Sequence, residues 1–164
     1  MNSHKGFTLI ELLIVIALLG VLAVGLLATI DPFEQLKKGR DTSTRNMVEE
    51  FYNAGLRYYA IKNSFPWANT AIEASNLAEL SGALSSIQEA GELKEAFLEA
   101  SGLEDVIVSS TVCSGAACED LRVCFQPQSK SFRNDNNTKY DELGSNTVTG
   151  CPDPTSTACY WCIR

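Results

Sequence analysis

An uninterrupted apolar run near the start of the chain restricts the possible folds more than any other feature of this sequence. Residues 12–30 are 19 consecutive residues without a charge, and the only charge within residues 7–30 is Glu11. At 1.5 Å per residue, a helix of that length spans about 29 Å, close to the thickness of bilayer hydrocarbon. A core helix would have a polar face, which this run lacks. The run therefore predicts a membrane-spanning helix.

A removed secretory signal peptide is the main alternative for this position in the chain. Such a peptide has an apolar stretch of about 7 to 15 residues followed by a small-residue cleavage site. The run here is longer, and the small residues at its end, Ala28 and Thr29, form no A-x-A pattern. Length and flanking residues therefore favour a helix that the protein keeps.

The rest of the chain is polar and mixed in composition. The 164 residues include 20 Asp or Glu and 13 Lys or Arg, which gives a net charge of −7. An acidic chain is a poor candidate for holding a phosphate backbone, so no nucleic-acid partner is expected. His4 is the only histidine, which argues against Ser-His-Asp and Cys-His catalysis and against His-ligated metals. We therefore expect no enzyme, no cofactor and no metal site.

The junction between the short leader and the apolar run carries the most specific motif. Residues 5–13 read Lys-Gly-Phe-Thr-Leu-Ile-Glu-Leu-Leu, and Gly20 lies further along the run. The junction resembles the N-terminal signal of type IV pilins and of type II secretion pseudopilins. The resemblance implies that a prepilin peptidase cuts between Gly6 and Phe7 and methylates the new amino terminus of Phe7. It also implies that the helix is retained and that the subunit joins a helical filament, either a type IV pilus or a type II secretion pseudopilus.

Glu11 needs a partner, because a carboxylate inside a membrane segment costs about 3 kcal/mol. The resemblance implies one: the positively charged amine of Phe7 on a neighbouring subunit. Opposite charges in contact would keep the carboxylate ionised, and pairing between chains would set the axial register of stacked helices. The alternative is that Glu11 reaches the lipid headgroups near the helix end. The complete motif favours the first interpretation.

The charges that flank the apolar run bear on its orientation in the membrane. Lys5 precedes the run, and the positive-inside tendency places that end in the cytoplasm. Lys37, Lys38 and Arg40 follow the run, so only the motif decides the orientation. We expect a single-pass protein of the bacterial inner membrane with an extracytoplasmic head, carried later on a cell-surface pilus or a periplasmic pseudopilus. Its expected partners are prepilin peptidase, identical and related pilin subunits, an inner-membrane assembly platform and, before assembly, membrane lipid.

The patterns, together with what the resemblance implies about the cleavage site and the orientation, divide the chain into four segments. They are the leader at 1–6, the membrane and filament-core helix at 7–30, an amphipathic second half of the long helix at 31–67, and an extracytoplasmic head at 68–164. Pro32 directly after Asp31 predicts a kink, or a restart of the helix with Asp31 as its cap.

The head combines two kinds of pattern. Residues 68–105 indicate two or three short helices, separated near residues 81–82 and at Gly91. Strands are expected at residues 106–108, 121–125 and 158–163, with turn-forming residues between them. The expected fold class is α+β: a long N-terminal helix, the membrane-spanning half first, followed by a small head of short helices and an antiparallel sheet, as in pilins.

All six cysteines lie in the last third of the chain. The spacing of Cys113 with Cys118, together with that of Cys159 with Cys162, loosely resembles zinc ligands, and free thiols are a further alternative. Outside the cytoplasm, an even set of cysteines in a small domain is more often disulfide-bonded. Fifteen pairings are possible. We expect Cys113–Cys118, Cys124–Cys162 and Cys151–Cys159.

Three weaker patterns have an ordinary interpretation that we favour. Residues 135–142 offer oxygen ligands for calcium, but Lys139 and Tyr140 stand where an EF-hand needs a ligand and a glycine. The basic residues around Phe132 fit a solvated loop better than a DNA contact. The acidic stretch at 73–105 fits a solvated face; the alternative is a surface complementary to a basic neighbouring subunit, with the cluster at residues 37–40 as its match.

The competing hypothesis for the whole chain is a singly anchored extracytoplasmic binding module unrelated to pili, or an enzyme. It would make the motif at residues 4–11 coincidental. An enzyme would also need a catalytic constellation in the head, and the sequence shows none. The favoured hypothesis is therefore a structural filament subunit.

Overall fold

The computed structural model describes residues 6–29, 31–67, 70–114 and 117–164. The chain divides into two compact units, Met1–Phe33 and Glu34–Arg164. The first unit holds helix α1, Leu9–Thr29. Its large apolar side chains between Leu9 and Leu26 are all at least 45% exposed. Leu9–Leu26 is long and apolar enough to cross a membrane.

Helix α2, Pro32–Lys62, starts where Asp31 and Pro32 predict a restart. The Asp31 side chain caps it by accepting a hydrogen bond from the Phe33 amide at 3.1 Å. Within the second unit, the helix buries a stripe at helical spacing, formed by Thr44, Val48, Phe51 and Ala54. This stripe fixes the side of α2 on which the head packs.

Among its described residues, the head has short helical segments and seven strands. The helical segments are α3 (Ser81–Glu89), α4 (Glu95–Leu98), α5 (Lys130–Arg133) and two 3-10 turns, Leu77–Glu79 and Leu103–Asp105. The strands are β1 (Ile72–Asn76), β2 (Val106–Ser110), β3 (Cys113–Ser114), β4 (Ala117–Cys118), β5 (Arg122–Phe125), β6 (Thr138–Tyr140) and β7 (Tyr160–Ile163).

Five of the strands form one antiparallel sheet in the order β1-β2-β5-β7-β6, and β3 pairs with β4. The expected strands at 106–108, 121–125 and 158–163 correspond to β2, β5 and β7, the three central strands of the sheet. The expected fold class, α+β and pilin-like, is confirmed.

The expectation that residues 68–105 are helical is wrong at β1. This strand lies at the edge of the sheet and pairs with β2, with Ile72 opposite Ser110 and Asn76 opposite Ile107. Ala74 has a positive φ of 49°, and the register shifts between Ile72 and Ser75. Backbone pairing with β2, a long-range contact, decides this segment against its local pattern.

The sheet is buried on both faces. Val123 and Phe125 of β5 face the main core, together with Val48 and Phe51 of α2. The intervening residue, Cys124, belongs to a second cluster with Tyr140 and Cys162 on the opposite face. Because side chains alternate along a strand, this division follows from the sequence of β5.

Gly144 lies on that second face and permits a close approach. It has a φ of +64°, and a Cβ built there would stand 2.8 Å from Cys124 Sγ. The Leu143 carbonyl accepts a hydrogen bond from Ser109 Oγ at 2.6 Å. The loop that contains Gly144 thus packs directly on the outer face of the sheet.

One buried carboxylate joins α2 to the loop before α5. Asp41 is 3% exposed, and its side chain accepts hydrogen bonds from the amides of Gln128 (2.9 Å) and Ser129 (2.7 Å) and from Ser129 Oγ. Ser129 in turn caps α5 by accepting from the Phe132 amide. The Glu34 carboxylate also accepts from the Lys130 amide. The carboxylates of α2 therefore hold the start of α5.

Candidate functional site

Gly6, Phe7 and Thr8 form a non-helical segment directly before α1. Gly6 is exposed, Phe7 is 83% exposed, and a Cβ placed on Gly6 would meet nothing within 4 Å. The fold of this chain therefore has no steric need for glycine at position 6. The peptide bond between Gly6 and Phe7 lies in an exposed segment outside the helix, where a protease can reach it.

Thr8 and Glu11 form a reciprocal cap at the start of α1. Glu11 Oε2 accepts hydrogen bonds from the Thr8 amide at 2.8 Å and from Thr8 Oγ1 at 2.7 Å. Thr8 Oγ1 accepts from the Glu11 amide at 3.3 Å. This is a capping box, in which an N-cap side chain and the acid three residues later satisfy each other's backbone amides.

The role of Thr8 was not predicted from the sequence. The signal was available, because Thr-x-x-Glu before an apolar run is the pattern of a capping box. The structure gives Glu11 a partner inside its own chain, which neither interpretation of this residue anticipated. The pairing of Glu11 with the Phe7 amine joins two chains and stays a prediction.

The six cysteines lie in three disulfides, and the structure brings together the pairs named above. Cys113 and Cys118 face each other across β3 and β4, with Cα atoms 3.9 Å apart. Cys124 and Cys162 face each other across β5 and β7, with Cα atoms 4.1 Å apart. Cys151–Cys159 closes the loop before β7. These bonds occupy the sulfurs that a zinc site would need.

The carboxylates of the suggested calcium loop cap turns. Asp135 accepts a hydrogen bond from the Asn137 amide at 2.8 Å, and Asp141 accepts from the amides of Ser145 and Asn146. Partial burial acts to raise the pKa of Asp141, but the hydrogen bonds outweigh it and lower the pKa. Among the residues that the structure describes, no group of three or more His, Cys, Asp or Glu is arranged to hold a metal ion.

Two basic residues near Phe132 make contacts within the head. Arg133 Nε donates to the Pro127 carbonyl at 2.9 Å. Lys139 Nζ lies 5.5 Å from the centroid of the Tyr140 ring. The sequence predicted a solvated loop, whereas these contacts give Arg133 and Lys139 structural roles within the head.

Asp120 organises the wall of a cavity of about 490 Å³ between α2 and the β3–β4 region. Its carboxylate accepts hydrogen bonds from the amides of Val112 (2.7 Å) and Thr111 (3.2 Å) and pairs with the largely buried Arg122. Partial burial acts to raise the pKa of Asp120, but these contacts together lower it. Arg122 Nε is buried without a hydrogen-bond partner among the described residues, so this is a structural network with one unsatisfied donor, which the sequence did not reveal.

The N-terminal segment also matches a known family description. Residues 1–27 match the family model for the prokaryotic N-terminal methylation motif. Comparisons with curated proteins and with solved structures each found no match. The match covers the expected cleavage bond, the capping box and most of α1. Residues 1–27 therefore carry the prepilin-type cleavage and methylation signature of type IV pilins and pseudopilins, and the chain has an α+β, pilin-like fold.

Proposed function

We propose that this chain is the precursor of a structural filament subunit, of a type IV pilus or a secretion pseudopilus. Prepilin peptidase cuts between Gly6 and Phe7 and methylates the Phe7 amine. Helix α1 then holds the subunit in the inner membrane, with residues 31–164 outside it, until an assembly platform moves it into the filament. The observation that carries the proposal is the signature match, which extends into a helix whose apolar side chains from Leu9 to Leu26 are all exposed.

Helix α1 supports this proposal through what it leaves uncovered. Its exposed apolar side chains surround the whole helix between Leu9 and Leu26, so water is an unsuitable environment for it. Lipid tails cover this apolar surface before assembly, and neighbouring helices of the same kind cover it in the filament. A subunit can therefore pass from membrane to filament without refolding this helix.

Glu11 gives the bundle a preferred register. A carboxylate between packed apolar helices is stabilised by an opposite charge in contact with it. Cleavage after Gly6 creates such a charge, the amine of Phe7, on every subunit. We propose that the Glu11 carboxylate of one subunit pairs with the Phe7 amine of its neighbour.

Mass spectrometry of the protein from its native membrane or from sheared filaments tests the processing step. The expected chain begins at N-methylated Phe7 and is six hydrogens lighter than the reduced chain, because three disulfides have formed. A Gly6→Leu variant should keep its leader, since the fold has room for the side chain and only the peptidase should reject it. Gly25→Ala, also at an open position, is the matched control and should be processed. A wild-type chain that retains Met1 would refute the proposal.

A pair of variants separates the two roles of Glu11. Glu11→Gln keeps a capping box, because glutamine also serves at this position, but removes the charge. Thr8→Val removes the capping hydroxyl and keeps the charge. We expect Glu11→Gln to be processed yet to lose filament assembly, and Thr8→Val to assemble. If Glu11→Gln assembles as well as the wild type, the charge is not needed and Glu11 acts only as a cap.

A further inference from the structure

One of the three disulfides of the head is closed off from solvent on both of its cysteines. Cys124 is 1% exposed and Cys162 is 2% exposed, whereas each of the other two disulfides includes a half-buried cysteine. We call the bond between Cys124 and Cys162, which joins β5 to β7, the sheet disulfide. A thiolate must reach a sulfur atom before it can exchange with a disulfide, so access contributes to the rate. The part of the fold that covers the sheet disulfide therefore controls its reactivity.

The loop that follows β6 covers the sheet disulfide. A Cβ built on Gly144 would stand 2.8 Å from Cys124 Sγ and 3.3 Å from Cys162 Sγ, so the backbone of this glycine lies against both sulfurs. The carbonyl oxygen of Asp141 lies 3.9 Å from Cys162 Sγ. We call residues 141–146 the lid. Because glycine has no side chain, the lid comes close enough to exclude a small thiol from the two sulfurs.

The lid is a short hairpin whose hydrogen bonds converge on one carboxylate. Asp141 accepts from the Ser145 amide at 2.8 Å, from the Asn146 amide at 3.2 Å and from Asn146 Nδ2 at 3.0 Å. The Asp141 amide in turn donates to the Asn146 carbonyl at 2.9 Å and closes the base of the hairpin. Asp141 thus holds both ends of the lid together.

The lid also has an attachment to the sheet beneath it. Ser109 Oγ of β2 donates to the Leu143 carbonyl at 2.6 Å. On the outer side of the lid, Glu142 and Asn146 are exposed to solvent. A surface hairpin with few buried contacts opens locally at a lower free energy than a central sheet does. The lid can therefore open while β5 and β7 stay paired.

We propose that the lid is a gate for thiol–disulfide exchange: a dithiol reductant reaches the sheet disulfide only while the lid is open, and the Asp141 carboxylate holds the lid closed. In the open state, one thiolate of the reductant attacks a cystine sulfur, the S–S bond breaks, and the other cysteine leaves as a thiolate. The second thiolate of the reductant then displaces the first cysteine from the mixed disulfide. Two electrons have passed to the protein, and the reductant has become a disulfide. The gate concerns the head alone and does not depend on cleavage after Gly6.

Reduction of the full chain in detergent by dithiothreitol measures the gate. Samples are quenched with N-ethylmaleimide in denaturant and digested, and mass spectrometry gives the reduction rate of each disulfide. In the wild type, we expect the sheet disulfide to be reduced about tenfold more slowly than Cys113–Cys118 and Cys151–Cys159, each of which has a half-buried cysteine. Equal rates for the three bonds would overturn the proposal.

Two variants loosen the lid at different points. Asp141→Ala removes its central acceptor, and we expect the sheet disulfide to be reduced about tenfold faster than in the wild type. Ser109→Ala removes the donor to Leu143 and should accelerate the reduction about fivefold. Asp153→Ala is the matched control, because this carboxylate accepts from the Thr155 amide at 2.8 Å in the loop of another disulfide, and it should leave the rate unchanged. A rate in Asp141→Ala equal to that of the wild type refutes the gate.

A low concentration of urea distinguishes opening of the lid from global unfolding, which would also expose the sheet disulfide. Local opening exposes little surface, so the reduction rate of Asp141→Ala should change by less than about twofold on adding about 1 M urea. Reduction through global unfolding should instead become about tenfold faster over the same range. A tenfold rise would show that the whole head must unfold before the reductant reaches the bond, and it would overturn the gate.

Discussion

The hydrogen bonds of Asp41 predict that one buried carboxylate contributes a large share of the stability of the head. Its side chain accepts from three donors, the amides of Gln128 and Ser129 and the Ser129 hydroxyl. Asp41→Ala removes every acceptor at once. The two donors of Ser129 then remain in a buried residue without their partner. The substitution also leaves the start of α5 without its attachment to α2.

The expected loss follows from these contacts. A buried donor without a partner costs about 1 to 3 kcal/mol, and bonds to a charged acceptor lie at the upper end of the hydrogen-bond range. The higher helix propensity of alanine returns about 0.5 kcal/mol. We therefore expect Asp41→Ala to lower the free energy of unfolding by about 4 kcal/mol, which corresponds to a melting temperature roughly 15 °C lower. Asp41→Asn keeps one acceptor oxygen and should lose about half as much.

Thermal and urea unfolding of the full chain in detergent, with the disulfides intact, measures this loss. Near-ultraviolet circular dichroism follows the tertiary structure of the head during both transitions. Thr42→Ala, at the exposed neighbouring position on α2, is the control and should change stability by less than about 0.5 kcal/mol. If Asp41→Ala unfolds at the same temperature as Thr42→Ala, the reasoning about buried acceptors is wrong here.

Three further predictions use the same unfolding assay. Gly144→Ala should lower the free energy of unfolding by about 2 kcal/mol more than Gly91→Ala does. Both glycines have a positive φ, but only at position 144 would the added Cβ stand against a disulfide sulfur. Equal losses of stability in the two variants would contradict the close approach. The stability difference between wild type and Asp120→Asn should be present at neutral pH and decline as the pH falls below the ordinary aspartate pKa of about 3.9. Its sign follows because the pKa of Asp120 is lowered in the folded chain, so acid removes the stabilisation; a difference that does not shrink in acid would contradict this. Replacing Cys124 and Cys162 by serine should cost about 4 kcal/mol or more, from the 38-residue separation that the bond closes, and a loss below 1 kcal/mol would contradict it.

The elements that were predictable from the sequence depend on local signals. The apolar run defines α1, and the Asp31-Pro32 step followed by helical spacing defines α2. The strands β2, β5 and β7 have runs of apolar and aromatic residues, because they lie in the centre of the sheet and are covered by the core. Central strands are the ones whose sequence shows their position most clearly.

The elements that escaped prediction depend on distant partners. The edge strands β1 and β6 contain few apolar residues, and their backbone hydrogen bonds come from β2 and β7. The attachment of Asp41 joins residues 87 and 88 positions apart. No pattern along the chain predicts such a contact, because an aspartate in a helix usually faces water. The capping box at Thr8 was different, because its pattern was local and was overlooked.

The capping box also bears on how Glu11 serves two partners. Both hydrogen bonds from Thr8 reach Oε2, and none from the described residues reaches Oε1. The local cap therefore occupies one oxygen and fixes the carboxylate at the first turn of α1. A carboxylate held in one place loses less conformational entropy when a second donor binds. The cap and the proposed pairing with the Phe7 amine of a neighbour are thus cooperative. Loss of Thr8 should weaken the pairing while the filament still assembles, and loss of the charge should abolish the pairing.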